Sequence, residues 1–155
     1  MLTRRKKSKR RFVVRNSPIH GRGVFALTRI PKGSRVIEYK GELISTQEAD
    51  ERYSEQHANS PHTMLFEVNE EIVIDGTRRG NSARWINHSC VPNCEIADQD
   101  VRIFIDARRD IRAGEELTYD YNLQLGEPHT RAAKRAHPCF CGTRRCRGTM
   151  LGSKQ

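Results

Sequence analysis

The chain has 155 residues and a mass of 17.9 kDa, room for one domain and a short tail. An apolar fraction of 35% sustains a small core, and no run nears the roughly 18 apolar residues of a membrane helix, so no membrane partner is expected. No Gly-rich loop ending in Gly-Lys-Ser/Thr and no Gly-x-Gly-x-x-Gly turn occurs, which excludes two common nucleotide-binding designs.

The net charge of +9 is unevenly spread. Residues 1–35 carry twelve Lys/Arg and no acid, 36–121 carry nine against eighteen Asp/Glu, and 122–155 carry seven against one. Basic flanks suit nucleic acid or another phosphate-rich surface, whereas the acidic middle attracts a basic peptide.

In chain order, no apolar stretch follows the charged start at Met1–Lys7, so no secretory signal is expected and the cytoplasm is the default location. Residues 1–11 hold seven Lys/Arg and read as a disordered basic arm for nucleic acid or chromatin, or a nuclear import signal. Order begins near Phe12-Val13-Val14. Short strands are predicted at Gly23–Leu27, Ser34–Tyr39, Met64–Val68, Ile72–Ile74 and Val101–Asp106, with turns at Pro31-Lys32-Gly33 and Arg112-Ala113-Gly114. Ser45-Thr46-Gln47-Glu48 forms a capping box for a helix running to about His57. A second short helix is predicted around Asn81–Ile86. Residues 123–138 mix Pro, Gly, His and basic residues and read as a linker or mobile loop. The fold class is mostly β with a few short helices (α+β).

Cys139-Phe140-Cys141-Gly142-Thr143-Arg144-Arg145-Cys146 sets three thiols within eight residues of a hydrophilic tail. Zinc takes four tetrahedral Cys or His ligands, so a closed site needs one more, from Cys90, Cys94, His129 or His137. An odd count of five cysteines, without a secretory signal, fits four ligands and one spare thiol better than disulfides. Three further stretches are unusual. Asn87-His88-Ser89-Cys90-Val91-Pro92-Asn93-Cys94 is a polar turn that no core strand would choose. Glu115-Glu116-Leu117-Thr118-Tyr119-Asp120-Tyr121 runs into a strand with two tyrosines on one face. His20-Gly21-Arg22-Gly23 lets backbone approach a ligand closely.

Together these stretches, with Val36–Glu42 and Ile74–Thr77, resemble the SET-domain family of protein-lysine methyltransferases and its cysteine-rich post-SET tail, over about residues 12–152. The resemblance implies a SET domain at 12–122 with a knot-like crossing, and a post-SET zinc tail at 139–155. It implies S-adenosylmethionine as cofactor, held by His20, Gly21, Arg22, Gly23, Arg84, Asn87 and His88, with Phe140 against the adenine. The catalytic tyrosine would be Tyr121, with Tyr39 and Tyr119 lining a lysine channel. Cys90 would complete structural zinc with Cys139, Cys141 and Cys146, leaving Cys94 spare. Trp85 stands where the family usually has Phe, and Met64 where many members have Tyr. The implied substrate is a basic, histone or histone-like protein presenting a lysine. The alternatives are a weakly catalytic module binding nucleic acid or chromatin, and a methyltransferase for a non-histone target such as a ribosomal protein.

Overall fold

A computed structural model describes residues 9–53 and 64–153. Most of the predicted basic arm and the stretch 54–57 of the first predicted helix lie outside the described residues. Order begins with β1 (Phe12–Asn16), which pairs antiparallel with β2 (Arg22–Ala26) through the glycine turn. β3 (Arg35–Tyr39) and β4 (Glu42–Ser45) follow, then α1 (Thr46–Tyr53), β5 (Leu65–Glu67) and β6 (Ile72–Asp75). A 3₁₀ turn at Ser82–Trp85 leads into β7 (Asn87–His88), β8 (Cys94–Gln99) and β9 (Arg102–Ala107). β10 (Thr118–Tyr119) and α2 (Arg131–Ala136) complete the order.

Two three-stranded antiparallel sheets, β3-β9-β8 and β4-β6-β5, stand beside the β1-β2 hairpin. β9 is central in its sheet, so Ile103, Phe104 and Ile105 are all buried instead of alternating. On β2, Val24 and Ala26 face the core beside Ile30, Ile111 and Leu117. Burying each large aliphatic side chain contributes about 1.5–3 kcal/mol, and this cluster is what fixes the strands that carry the site. A smaller core of Ile44, Ala49 and Val73 seats α1 on its sheet. Ser45 caps that helix as predicted, its Oγ accepting from the Glu48 N–H at 3.0 Å.

Two segments distant in the chain lie side by side: β10 pairs parallel with β7, Thr118 opposite Asn87 and Tyr119 opposite His88. Asn93 stitches the pair, receiving the Thr118 N–H at 2.9 Å and donating to the Glu116 carbonyl at 2.8 Å. Residues 123–138, expected as a linker, contain α2, capped by Thr130 whose Oγ1 accepts from the Ala133 N–H. Among the described residues, no helix is long and apolar enough to cross a membrane.

Candidate active site

The tail cysteines fold back onto the β7 turn. Sγ atoms of Cys90, Cys139, Cys141 and Cys146 all lie within 4.8 Å of one another. Cys90 is 3.6 Å from Cys139 and 4.0 Å from Cys146. A tetrahedron with metal–sulfur bonds near 2.3 Å has sulfur–sulfur edges of about 3.8 Å, so the four could hold a metal ion with little movement. Backbone N–H groups point at the sulfurs, from Arg147 to Cys90 (3.3 Å), Cys141 to Cys139 (3.4 Å) and Gly148 to Cys146 (3.3 Å). Such donors favour thiolates over thiols. The other candidates lie elsewhere. Cys94 is buried on β8 and its thiol is pushed up to about 12 by burial. His129 contacts the Gly152 carbonyl and the Leu125 N–H, and His137 the Ala133 carbonyl.

His88 connects this cluster to the tyrosines. It is 4% exposed, and its Nδ1 accepts from the Tyr121 N–H at 3.0 Å. The ring proton is therefore on Nε2, which faces the Cys90 sulfur at 3.4 Å. Burial lowers the pKa to about 4, against the opposing pull of Asp120. The ring is neutral at pH 7, so its 3.5 Å approach to Asp120 is no ion pair there; Asp120 is paired instead with Arg147 at 2.7 Å.

The tyrosines meet in one aromatic wall. Ring centroids are 4.9 Å apart for Tyr119 and Tyr121, 6.4 Å for Tyr119 and Phe66, and 5.3 Å for Phe66 and Tyr39. The Tyr121 hydroxyl donates to the Ile86 carbonyl at 2.6 Å, and the Tyr39 hydroxyl to the Met64 carbonyl at 3.0 Å. Burial raises all three phenols above their ordinary value. They are neutral hydrogen-bonding groups at physiological pH, not bases.

Beside this wall is a cleft lined by Ile19, His20, Asn87, His88, Tyr121, Pro138, Phe140 and Met150. Five residues expected at the cofactor or the chemistry, His20, Asn87, His88, Tyr121 and Phe140, thus come together although up to 120 positions separate them. Phe140 is 63% exposed, an apolar ring held open at the cleft. The Asn87 Nδ2 faces the His20 carbonyl (3.1 Å), the Arg22 carbonyl (2.9 Å) and the Glu116 Oε1 (2.9 Å). Gly21 takes φ +44°, a backbone conformation that favours glycine, and a Cβ on Gly23 would stand 2.1 Å from the Glu116 Oε1 and displace the carboxylate that holds Asn87. Arg22 and Arg84 do not line the cleft. Both stack on Trp85, at 5.6 and 5.1 Å from its ring centre, and among the described residues the buried Arg84 Nε has no hydrogen-bond partner.

Sequence reasoning missed Ser17 and Glu116. The Ser17 hydroxyl bonds the Glu116 carboxylate at 2.7 Å, and that carboxylate in turn holds Asn87. Glu116 lay inside a quoted motif; for Ser17 nothing in the chain pattern pointed to a partner 99 residues away.

Three relatives show how this chain compares with known proteins. It is 43% identical over 136 residues to an H3 lysine-4 specific histone-lysine N-methyltransferase of Mycosarcoma maydis, covering 84% of this chain and 9% of that protein. It is 39% identical over 139 residues to the histone-lysine N-methyltransferase ash1 of Drosophila melanogaster, covering 87% of this chain and 6% of the relative. A protein of Chaetomium globosum, also named an H3 lysine-4 specific histone-lysine N-methyltransferase, is 41% identical over 152 residues, 94% of this chain and 14% of its own length. The chain therefore spans only a small part of the curated relatives it matches. Residues 21–122, from the glycine turn through the Asn87–His88 pair to the strand of the two tyrosines, match the SET domain, and the chain belongs to that family.

Proposed function

We propose that the chain is an S-adenosylmethionine-dependent protein-lysine N-methyltransferase acting on a histone, with zinc bound by Cys90, Cys139, Cys141 and Cys146. The observation that carries the reading is the junction of the Asn87–His88 cleft with the Tyr39–Tyr119–Tyr121 wall at Tyr121. The cleft suits an amphiphilic cofactor: Ile19, Pro138, Phe140 and Met150 offer apolar surface to an adenosine, and His20 and Asn87 a polar end to the amino acid. S-adenosylmethionine supplies an electrophilic methyl group on a sulfonium.

The protein's part is to bind, align and dehydrate. In-line displacement needs a neutral amine aimed at the methyl carbon, and fixing that geometry removes much of the entropic barrier. A lysine with a pKa near 10.4 must first lose its proton. A lysine amine brought against the aromatic wall of Tyr39, Phe66 and Tyr119 would be shielded from water there, which disfavours the ammonium form. Tyr121, its hydroxyl fixed on the Ile86 carbonyl, orients the reacting groups as a neutral hydrogen-bonding group. Zinc, by joining the tail to the β7 turn, would hold Phe140 over the cleft. The basic arm, residues 1–11, would assist encounter with nucleic acid or nucleosomes. Histone action sets the workplace at chromatin, and the cytoplasmic default finds no support in the relatives' names.

Incubation of the zinc-loaded chain with methyl-labelled cofactor and separate histone and ribosomal protein fractions tests this. Label on lysine of a histone supports the reading. Label confined to ribosomal protein would move the substrate, and no label on any protein would favour a binding module.

A further inference from the structure

A basic surface forms where residues 26–33, from the basic N-terminal stretch, meet 107–115. Ile30 and Ile111 exchange both backbone hydrogen bonds at 2.9 Å and are buried, so the surface stands on a rigid base. From that base Arg29, Lys32, Arg108, Arg109 and Arg112 reach solvent. Only two carboxylates accompany them: Asp110 pairs with Arg29 at 2.7 Å, and Glu115 with Arg109 at 2.9 Å. Among the described residues, Lys32, Arg108 and Arg112 have no ion-pair partner. The paired arginines keep part of their five-donor fork for another acceptor. Between them lies a hollow of about 660 Å³ lined by Arg29, Arg109, Asp110, Ile111, Arg112 and Glu115.

The basic arm enters the fold at this edge. The Arg11 carbonyl accepts the Leu27 N–H at 2.8 Å, and the Arg11 side chain donates to the Arg35 carbonyl at 2.7 Å. Exposed Arg10 and Arg11 therefore continue the charge of the Arg29–Lys32 segment, and Arg4, Arg5, Lys6 and Lys7 precede them in the chain.

We propose that the face built by Arg29, Lys32, Arg108, Arg109 and Arg112 docks the sugar-phosphate backbone of duplex DNA. Several cations on a rigid base suit a ligand carrying one negative charge per roughly 1.7 Å of axis. The six residues lining the hollow include no aromatic, so the stacking platform that single strands use is missing there and the contact is sequence-independent. The proposal adds a folded surface to the arm's role and stands apart from the methyl-transfer reading.

The test is fluorescence anisotropy of the full chain on a short mixed-sequence DNA duplex over a salt series. The variants are Lys32→Ala/Arg108→Ala/Arg112→Ala and, separately, Arg4→Ala/Arg5→Ala/Lys6→Ala/Lys7→Ala. All three face substitutions are at exposed positions, and circular dichroism checks that the fold is kept. The face variant is expected to bind at least about tenfold more weakly near 0.1 M salt, with the salt slope reduced by about 2 to 3. The reduction should persist in the combined variant. An unchanged affinity and slope in the face variant, with loss only in the arm variant, would overturn the proposal. So would binding of poly-glutamate as tight as the duplex, which would indicate an acidic protein partner, or preference for a single strand. Methyl transfer to a short peptide should be unaffected by the face variant, which separates this outcome from failure of the enzyme reading.

Discussion

Tyr119 and Tyr121 share a wall, and the proposed mechanism gives them different tasks. Tyr121 has its hydroxyl committed to the Ile86 carbonyl at the cleft, whereas Tyr119 is 7% exposed and set deeper, between Phe66 and Tyr121. In the proposed mechanism a Tyr119 hydroxyl at the end of the lysine channel would hold the lysine amine or a water, leaving little room for a methylated amine to turn. One hydrogen bond is worth about 0.5–1.5 kcal/mol, and about 1.4 kcal/mol changes a rate tenfold. Monomethyl-lysine is therefore the expected main product, and Tyr119→Phe should raise di- and trimethyl-lysine about tenfold, read by mass spectrometry of a peptide at high enzyme excess. Abundant trimethyl-lysine from the unmodified chain would sink the argument. The cysteines divide as sharply. Metal analysis of Cys94→Ser should show one zinc per chain, because Cys94 faces the core from β8, while Cys141→Ser should lose the metal. Zinc lost from Cys94→Ser and kept in Cys90→Ser would reverse the ligand assignment.

At the level of elements, α1 and the sheet beneath it are tied by one buried charge. Asp75 at the end of β6 is fully buried and accepts from the Tyr53 hydroxyl at 2.6 Å, the Thr77 N–H at 3.0 Å and Arg52 at 3.2 Å. Arg52 also reaches Glu42 on β4 and Glu48 within the helix. Burial pushes the Asp75 carboxyl up, but these donors together hold it below its ordinary 3.8. A depressed folded pKa means the unfolded chain binds the proton first. Stability from Asp75 is thus present above about pH 4 and lost as pH falls through the folded value. Asp75→Asn should cost about 2–3 kcal/mol at neutral pH in urea unfolding, and its stability should fall less steeply below pH 4. An equally steep acid limb would show that other groups set it. How legible these elements were depended on where their stabilisation lies. β2, β3, β6 and β9 could be read because their own apolar residues build the core. β8, with Glu95, Asp98 and Gln99, is a strand by virtue of pairing with β9, and no local pattern announces it. α2 is hidden among Pro, Gly and basic residues, although Thr130 was a usable cap signal. The site was readable as motifs, but not the Ser17–Glu116–Asn87 chain, which exists only once distant segments meet.

For the molecule as a whole, the SET portion and the short tail meet at the cysteine cluster. The SET portion supplies the aromatic wall and the Asn87–His88 turn; the tail supplies Phe140 and three of the four sulfurs. Removing zinc with a chelator should therefore lower cofactor affinity as well as activity, a loss of at least about tenfold that zinc restores. Isothermal titration would read it, and an unchanged affinity would place the tail outside the cofactor site. The most direct test compares the zinc-loaded chain with Tyr121→Phe, measuring cofactor affinity and methyl transfer to whole histones by mass spectrometry. Methyl-lysine is expected from the unmodified chain, and from Tyr121→Phe a cofactor affinity within a few-fold but no detectable transfer. Undiminished transfer by Tyr121→Phe would contradict it.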